Sequence, residues 1–407
     1  MAVPSQAALR WASLSALVTA GMWALAACSV FSTGATGHTG AADSARGPVA
    51  FVAAPSGAPA NVLAVAPSGG RPLAVTRGAP PVTEAAWTAD GTRVVFARRS
   101  AHATAGGGEA GHIDVFVLRR GGTPRPIRRC SLECDPHSFA WSPDGRRIAF
   151  VTDIRSRFTG TAGEITVMNA DGSGFRAVCT ETACGQGLDD PRWSPDGSRL
   201  LFSNMGVIGF PSAGILPSRV WVARPDGTGA HPLTQPHCRP GHAPLLGCAY
   251  DSAAAWSPDG RWIAFSRLDQ QAGPGGKQPQ TLIELMRPDG SGLHPVAACS
   301  GIRCNQVMPP VWSPDGSRIA YAPTAERGSR IAFVSLGGAR SAIRACAGHR
   351  CVAPYGLVWA PDGGALGLLG GARAQTAYVI DATGSGMHAV GRAVQCCLAW
   401  LPAGAGG

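Results

Sequence analysis

A tryptophan followed by a short turn returns seven times along this chain, at Trp87, Trp141, Trp193, Trp256, Trp312, Trp359 and Trp400, and four of these read Trp-Ser-Pro-Asp-Gly in full. The spacings are 54, 52, 63, 56, 47 and 41 residues, a range in which self-similarity signals a β-architecture built unit by unit. The same order of events recurs inside each period and is clearest from Phe139 to Cys179. Ser138-Phe139-Ala140-Trp141 is a short apolar strand, and Ser142-Pro143-Asp144-Gly145 is a turn. There the proline presets φ, the aspartate bonds back to nearby backbone and the glycine is free to take positive φ. Arg147-Ile148-Ala149-Phe150-Val151 supplies a second strand, Ile165-Thr166-Val167-Met168 a third, Asp171-Gly172 a tight turn and Phe175-Arg176-Ala177-Val178 a fourth. Such a four-stranded unit cannot bury both its faces alone, so the tryptophan is expected to pack between neighbours.

Third-and-fourth-strand hairpins begin near Asn61, Ile113, Glu164, Arg219, Thr281, Arg330 and Thr376, again seven. The N-terminal unit lacks a tryptophan strand, whereas Cys397-Leu398-Ala399-Trp400 is a first strand with nothing after it. The expected fold is therefore all-β: a seven-bladed β-propeller of four-stranded antiparallel blades, closed by one C-terminal plus three N-terminal strands, so that no sheet edge is left open. Six or eight blades would follow if a repeat is degenerate.

Ahead of this region, Arg10 is the only charge in the first 28 residues, Trp11 to Ala24 is small and apolar, and Leu25-Ala26-Ala27-Cys28 combines small residues with a cysteine. The pattern resembles a bacterial lipobox, which implies lipidation of Cys28. The alternatives are an ordinary signal peptide with an incidental cysteine or an uncleaved anchor helix. The apolar run is short for the latter. The expected organisation is a lipoprotein signal peptide at 1–27, a flexible tether at 28–48 rich in Gly, Ala, Ser and Thr, and the propeller at 49–403. The expected location is the extracytoplasmic side of the cell membrane, held there by the lipid anchor.

Lys+Arg 35 against Asp+Glu 25 gives +10, a balance that favours anionic partners without naming one. Nucleic acid is not expected in an exported chain without zinc-finger spacing, recognition helix or basic run. Ten of the 13 cysteines fall in close pairs: Cys130 with Cys134, Cys179 with Cys184, Cys238 with Cys248, Cys299 with Cys304, and Cys346 with Cys351. Each pair sits between the fourth strand of one blade and the first of the next, which points to local disulfides in an oxidising setting. Cys396 and Cys397, in the equivalent region of the closing blade, would be a vicinal disulfide or thiols. Histidines beside several pairs (His137, His237, His242 and His349) raise metal as a rival, but no pair has the second spaced ligand pair of a structural zinc site. No metal and no cofactor is expected.

Trp-Ser-Pro-Asp-Gly-Arg-x-Ile-Ala-Phe, present from Trp141 to Phe150 and nearly so from Trp256 to Phe265 and from Trp312 to Tyr321, resembles the propeller repeat of the TolB family. The resemblance covers nearly all of the chain after the tether and implies a propeller in the cell envelope. It departs from TolB itself, a soluble periplasmic protein with an α/β domain before six blades. No partner and no partner-binding residue is carried over from that family.

No set of nucleophile, base and oxyanion donors is evident, and the Gly-x-Ser-x-Gly motif of propeller-bearing peptidases is missing. Ten acidic residues, Asp90, Asp144, Asp171, Asp196, Asp226, Asp259, Asp289, Asp315, Asp362 and Asp381, belong to the repeated turns, where bonding to local backbone is the expected role. Blade topology puts these short turns on one face. The opposite face collects the cysteine loops and the long second connections, Arg98 to Gly111, Asp153 to Gly163, Asn204 to Ser218 and Arg267 to Gln280. That face is the expected partner-binding surface, with Ile208, Phe210 and Ile215 as apolar contacts and Arg155, Arg157, Arg267 and Lys277 around them. The alternative is that the apolar residues fold onto their own blade. The sequence thus favours a non-catalytic, monomeric propeller that binds an envelope protein or an anionic envelope polymer. A channel-centred lyase, hydrolase or sensor for a small or saccharide ligand is the alternative. A convergence of His, Glu, Asn or Tyr at the channel mouth would favour the second.

Overall fold

In the computed structural model the described residues are 46–54, 58–103, 109–131, 134–156, 160–204, 218–236, 249–269, 280–300, 309–323, 330–347, 350–352, 354–370, 376–392 and 397–403. They form seven four-stranded antiparallel sheets and one two-stranded ribbon. The first complete blade holds β4 (Val82–Trp87), β5 (Arg93–Ala103), β6 (Glu109–Arg119) and β7 (Arg125–Ser131). The second holds β8 (Cys134–Trp141), β9 (Arg147–Ser156), β10 (Gly160–Asn169) and β11 (Arg176–Cys179). The third follows a helical turn, α1 (Glu181–Cys184), with β12 (Leu188–Trp193), β13 (Leu200–Asn204), β14 (Arg219–Ala223) and β15 (His231–Pro232). The fourth comprises β16 (Ala249–Trp256), β17 (Ile263–Asp269), β18 (Gln280–Met286) and β19 (His294–Ser300). The fifth comprises β20 (Val311–Trp312), β21 (Arg318–Tyr321), β22 (Arg330–Ser335) and β23 (Arg340–Arg344). After the ribbon of β24 (Cys346–Ala347) and β25 (Arg350–Cys351), the sixth has β26 (Pro354–Trp359), β27 (Ala365–Gly370), β28 (Thr376–Asp381) and β29 (His388–Arg392).

The seventh blade is the closing one. β30 (Ala399–Trp400) pairs with β1 (Val49–Ala53), which continues into β2 (Asn61–Val65) and β3 (Leu73–Ala74). Trp400 lies opposite Val49, and Leu401 N donates to the Pro48 carbonyl at 2.9 Å. The first strands β4, β8, β12, β16, β20, β26 and β30 neighbour one another in turn and form the inner ring.

The repeated tryptophan links the blades. Trp141 Nε1 donates to the Ala86 carbonyl at 3.0 Å, Trp193 to Ala140 at 3.1 Å, Trp312 to Ala255 at 3.2 Å and Trp359 to Val311 at 3.1 Å. Each acceptor is the residue just before the tryptophan of the preceding blade. An arginine at the start of the second strand covers the next tryptophan: Arg93 lies 5.2 Å from the Trp141 ring centre, Arg147 4.6 Å from Trp193 and Arg318 4.8 Å from Trp359. The apolar clusters follow the same logic. One joins Val95, Ile113 and Val115 of the first blade to Phe139, Trp141 and Phe150 of the second, so burial occurs between sheets rather than within one.

The turn aspartates do what their position predicts. Asp144 Oδ1 accepts the Arg146 amide at 3.0 Å and the Ser142 hydroxyl at 2.6 Å, while Gly145 sits at φ +62°. Asp90, Asp171, Asp196, Asp226, Asp259, Asp289, Asp315 and Asp362 likewise accept the amide two residues on. Asp381 differs, accepting the Ser385 hydroxyl at 3.3 Å.

Two of the expected long connections are instead strand. Arg98 to Ala103 and Glu109 to Gly111 extend β5 and β6, with Ser100 opposite His112 and His102 opposite Ala110. Asp153 to Ser156 and Gly160 to Gly163 likewise extend β9 and β10. Hairpin pairing satisfies the backbone groups that an irregular loop would leave to water.

Candidate functional site

In four of the inner strands, and just ahead of a fifth, the residue three places before the tryptophan has a left-handed backbone: Ser138 (φ 54°), Asp190 (57°), Ala253 (53°), Gly356 (58°) and Cys397 (72°). The ladder slips at or beside this point in β8, β12, β16 and β26, and in β4 it slips between Val82 and Glu84. A bulge of this kind bends the strand and re-aims its side chains. Four of the five carry a Cβ, for which this conformation is costly.

At the bulges of three successive blades, polar side chains meet. Glu84 of β4 is buried and its Oε1 accepts the Phe139 amide of β8 at 3.1 Å. Ser138 Oγ of β8 donates to Asp189 Oδ1 of β12 at 2.6 Å, and the Asp190 amide donates to the same oxygen at 2.7 Å. His137 stands between them, with Nε2 4.0 Å from Asp189 and Nδ1 4.0 Å from Asp153 of β9 and 3.0 Å from the Asp135 carbonyl. Asp135 pairs with Arg99 of β5, and Asp190 pairs with Arg192 at 2.7 Å. The His137 and Asp189 side chains keep 25% and 18% of their surface exposed, so solvent reaches the cluster. Because these residues precede the tryptophan in strands that run toward the Asp-Gly turns, the cluster lies toward the cysteine-loop face.

The surroundings set the protonation. Burial pushes the Glu84 carboxyl up to about 7, and Asp189 adds to this against the pull of His137 and the Phe139 amide. Burial likewise raises Asp190 to about 6 in spite of Arg192. Asp153 is raised by burial and by the charges of Asp135, Asp189 and Glu181, with His137 opposing. Burial pulls His137 down, but Asp189, Glu84 and Asp153 outweigh it and hold the imidazolium above its ordinary range. Burial thus holds Glu84, Asp153 and Asp190 toward their neutral forms, while the neighbouring carboxylates hold His137 toward its charged one. The cluster does not form a nucleophilic triad: Ser138 Oγ is committed to Asp189, and His137 Nδ1 faces the Asp135 carbonyl. Among the described residues no group of three or more His, Cys, Asp or Glu side chains is arranged to hold a metal ion.

Of the residues expected at the partner surface, Arg267 turns inward. Its guanidinium grips Asp251 through Nε at 2.6 Å and a terminal nitrogen at 2.8 Å, lies 3.1 Å from Glu284, and is 13% exposed. A guanidinium forked onto a fully buried carboxylate has little left for a partner. Arg155 lies in β9 opposite Thr161. Arg157, Ile208, Phe210, Ile215 and Lys277 lie outside the described residues, as do Cys28, Cys238, Cys248, Cys304 and Cys396.

Among the described residues, two of the cysteine pairs are bridged. Cys179 joins Cys184 across α1, and Cys346 joins Cys351 across the β24–β25 ribbon with Cα atoms 4.0 Å apart. Cys299 and Cys397 are each disulfide-bonded as well, to a partner outside the described residues. Cys130 is buried in β7, and Cys134 opens β8.

The geometry defines a seven-bladed β-propeller with a polar cluster on its inner ring. No family model matches the chain. It is 26% identical over 220 residues to the uncharacterized protein Atu1656 of Agrobacterium fabrum, covering 52% of this chain and 62% of that protein. It is 28% identical over 120 residues to the uncharacterized peptidase YuxL of Bacillus subtilis, covering 30% and 17%. The matched regions thus span under two thirds of either relative. Among solved structures, the oligogalacturonate lyase of Vibrio parahaemolyticus superposes with a TM-score of 0.57 at 11% identity, over 85% of this chain and 87% of that one. TolB of Acinetobacter baumannii superposes with a TM-score of 0.45 at 15% identity, over 88% and 67%. The superposition on the lyase, at this identity, is a likeness of fold.

Proposed function

We propose that this chain is an extracytoplasmic propeller, held at the membrane through a lipid on Cys28, that binds a protein partner on its cysteine-loop face without transforming it. The observation that supports this reading most is that the polar groups meeting at the inner ring are committed to one another, Ser138 Oγ donating to Asp189 and Glu84 accepting the Phe139 amide. The site is acidic although the chain carries +10. It suits a lysine, arginine or terminal amine of a partner better than an anionic polymer, because an opposite charge is favoured where like charges repel. Ile208, Phe210 and Ile215 would supply apolar contact to the same partner.

The convergence of Glu84, His137 and Asp189 from three blades favours a second reading, a channel-centred enzyme or sensor for a small or saccharide ligand. A carboxyl near 7 beside an imidazole is what general acid–base work requires. Reversible cross-linking on intact cells, with capture of wild type, Asp189→Asn and a chain lacking Met205 to Leu216, separates the two. A recurrent protein that is lost in both variants supports a binding propeller. Equal capture by all three chains refutes the site, and absence of any protein partner moves the assignment to the ligand reading.

A further inference from the structure

A second feature lies on the opposite face. Between the closing blade and the first complete blade a cleft of about 750 Å³ opens among the turn-side ends of the strands. Its floor is apolar, including Val65, Trp87 and Leu118, and Leu73, 61% exposed, stands at its edge. Arg71 and Arg120 rim it, and an adjoining shallow pocket is lined by Arg119 and Arg146. All four arginines are exposed. The one carboxylate lining either hollow among the described residues, Asp144, turns an oxygen onto local backbone and hydroxyl donors, and arginines outnumber it around the cleft.

The path of the chain gives this patch a neighbour. The described chain joins the propeller at Arg46, Gly47 and Pro48, which line the same cleft. Arg46 is pinned there by ion pairs to Asp362 at 2.8 Å and Asp381 at 3.0 Å, both turn aspartates of the sixth blade. Residues 29–45 separate Cys28 from this point. A segment of that length reaches at most about 60 Å when extended, and one of Gly- and Ser-rich composition spans about 23 Å on average.

We propose that the arginine-rimmed cleft on the turn face is laid against the anionic phospholipid surface of the membrane, with Leu73 dipping among the headgroups. This orientation rests on the lipid-anchor reading, and it leaves the His137 cluster and the cysteine loops pointing away from the bilayer, open to a partner. An arginine near an anionic surface multiplies partitioning by roughly fivefold. Loss of Arg71 and Arg120 together should therefore cost roughly 25-fold.

The test uses the chain from residue 28 onward with Cys28→Ser, so that no acyl chain contributes, and flotation with vesicles of phosphatidylcholine alone or mixed with phosphatidylglycerol. Binding is expected only to the anionic vesicles, to weaken with added salt, and to drop about 25-fold in R71A/R120A. R224A/R261A, which removes two exposed turn-face arginines from other blades, should bind as the parent does. Equal flotation with both vesicle types, no loss in R71A/R120A, or an equal loss in R224A/R261A would overturn the proposal, and matching melting curves would show that each variant is folded. Acylation is read separately from the intact mass of the wild-type chain recovered from membranes. An unacylated wild type would sink the anchor reading while leaving the vesicle result to stand or fall by itself.

Discussion

Replacing Glu84 by glutamine isolates the energetic consequence of the buried cluster. The rise of this carboxyl from an ordinary 4.5 to about 7 corresponds to roughly 3 kcal/mol in favour of the protonated form inside the fold. Below about pH 4.5 the group is protonated in both folded and unfolded chains, and it contributes no pH dependence. Between there and about 7 the unfolded chain releases the proton while the folded one retains it, so stability falls as pH rises. Above 7 the folded protein carries the full penalty. Glutamine keeps an oxygen for the Phe139 amide and removes the titration. The variant should match the wild type near pH 4.5 and gain on it as pH rises. The gain at pH 8 should reach about 1 to 3 kcal/mol, the lower figure allowing for lost attraction to His137. Guanidinium unfolding followed by tryptophan fluorescence at pH 5, 6, 7 and 8, on oxidised protein, measures the difference. A gap that stays constant with pH, or a wild type that gains on the variant, would refute the reasoning.

Trp193→Phe removes the 3.1 Å bond to the Ala140 carbonyl and the best surface for Arg147. A loss of about 2 kcal/mol is expected in thermal or chemical unfolding, and an unchanged midpoint would mean that the link between blades carries no net energy. Cys179→Ser with Cys184→Ser opens the bridge over α1 and should cost about 2 kcal/mol; alkylation followed by intact-mass analysis should find both thiols blocked in the parent. At Gly391 an added Cβ would run into the Phe51 ring in the core of the closing blade. Gly391→Ala should therefore lower stability by about 1 to 3 kcal/mol, read as a fall in the unfolding midpoint at constant slope.

The blade order was legible because its signals are local. A turn such as Ser142-Pro143-Asp144-Gly145 folds the same way whatever surrounds it, and Trp141 marks the strand before it. The closing blade was legible because an unmatched first strand at Trp400 complements three strands that lack one. The cluster was not, since Glu84, Ser138 and Asp189 are 51 or more residues apart and meet only through ring geometry. Aligning the repeats on their tryptophans would have exposed it: Glu84, Ser138 and Asp190 share one offset, and His137 and Asp189 another. Arg267 departs from the expected loop position for a related reason. From sequence it opens a long connection, but β17 runs on to Asp269, and the cross-strand register brings Arg267 opposite Asp251.

In a linear array of repeats the outermost units have one neighbour each, fray first and set the lower limit of stability. Here the Trp400–Val49 pairing turns the array into a cycle. No blade is an end, and melting any one of them breaks two interfaces at once. Hydrogen exchange should consequently show the closing blade, although assembled from both ends of the described chain, protected with the others, and the whole ring should give way in one transition rather than peel.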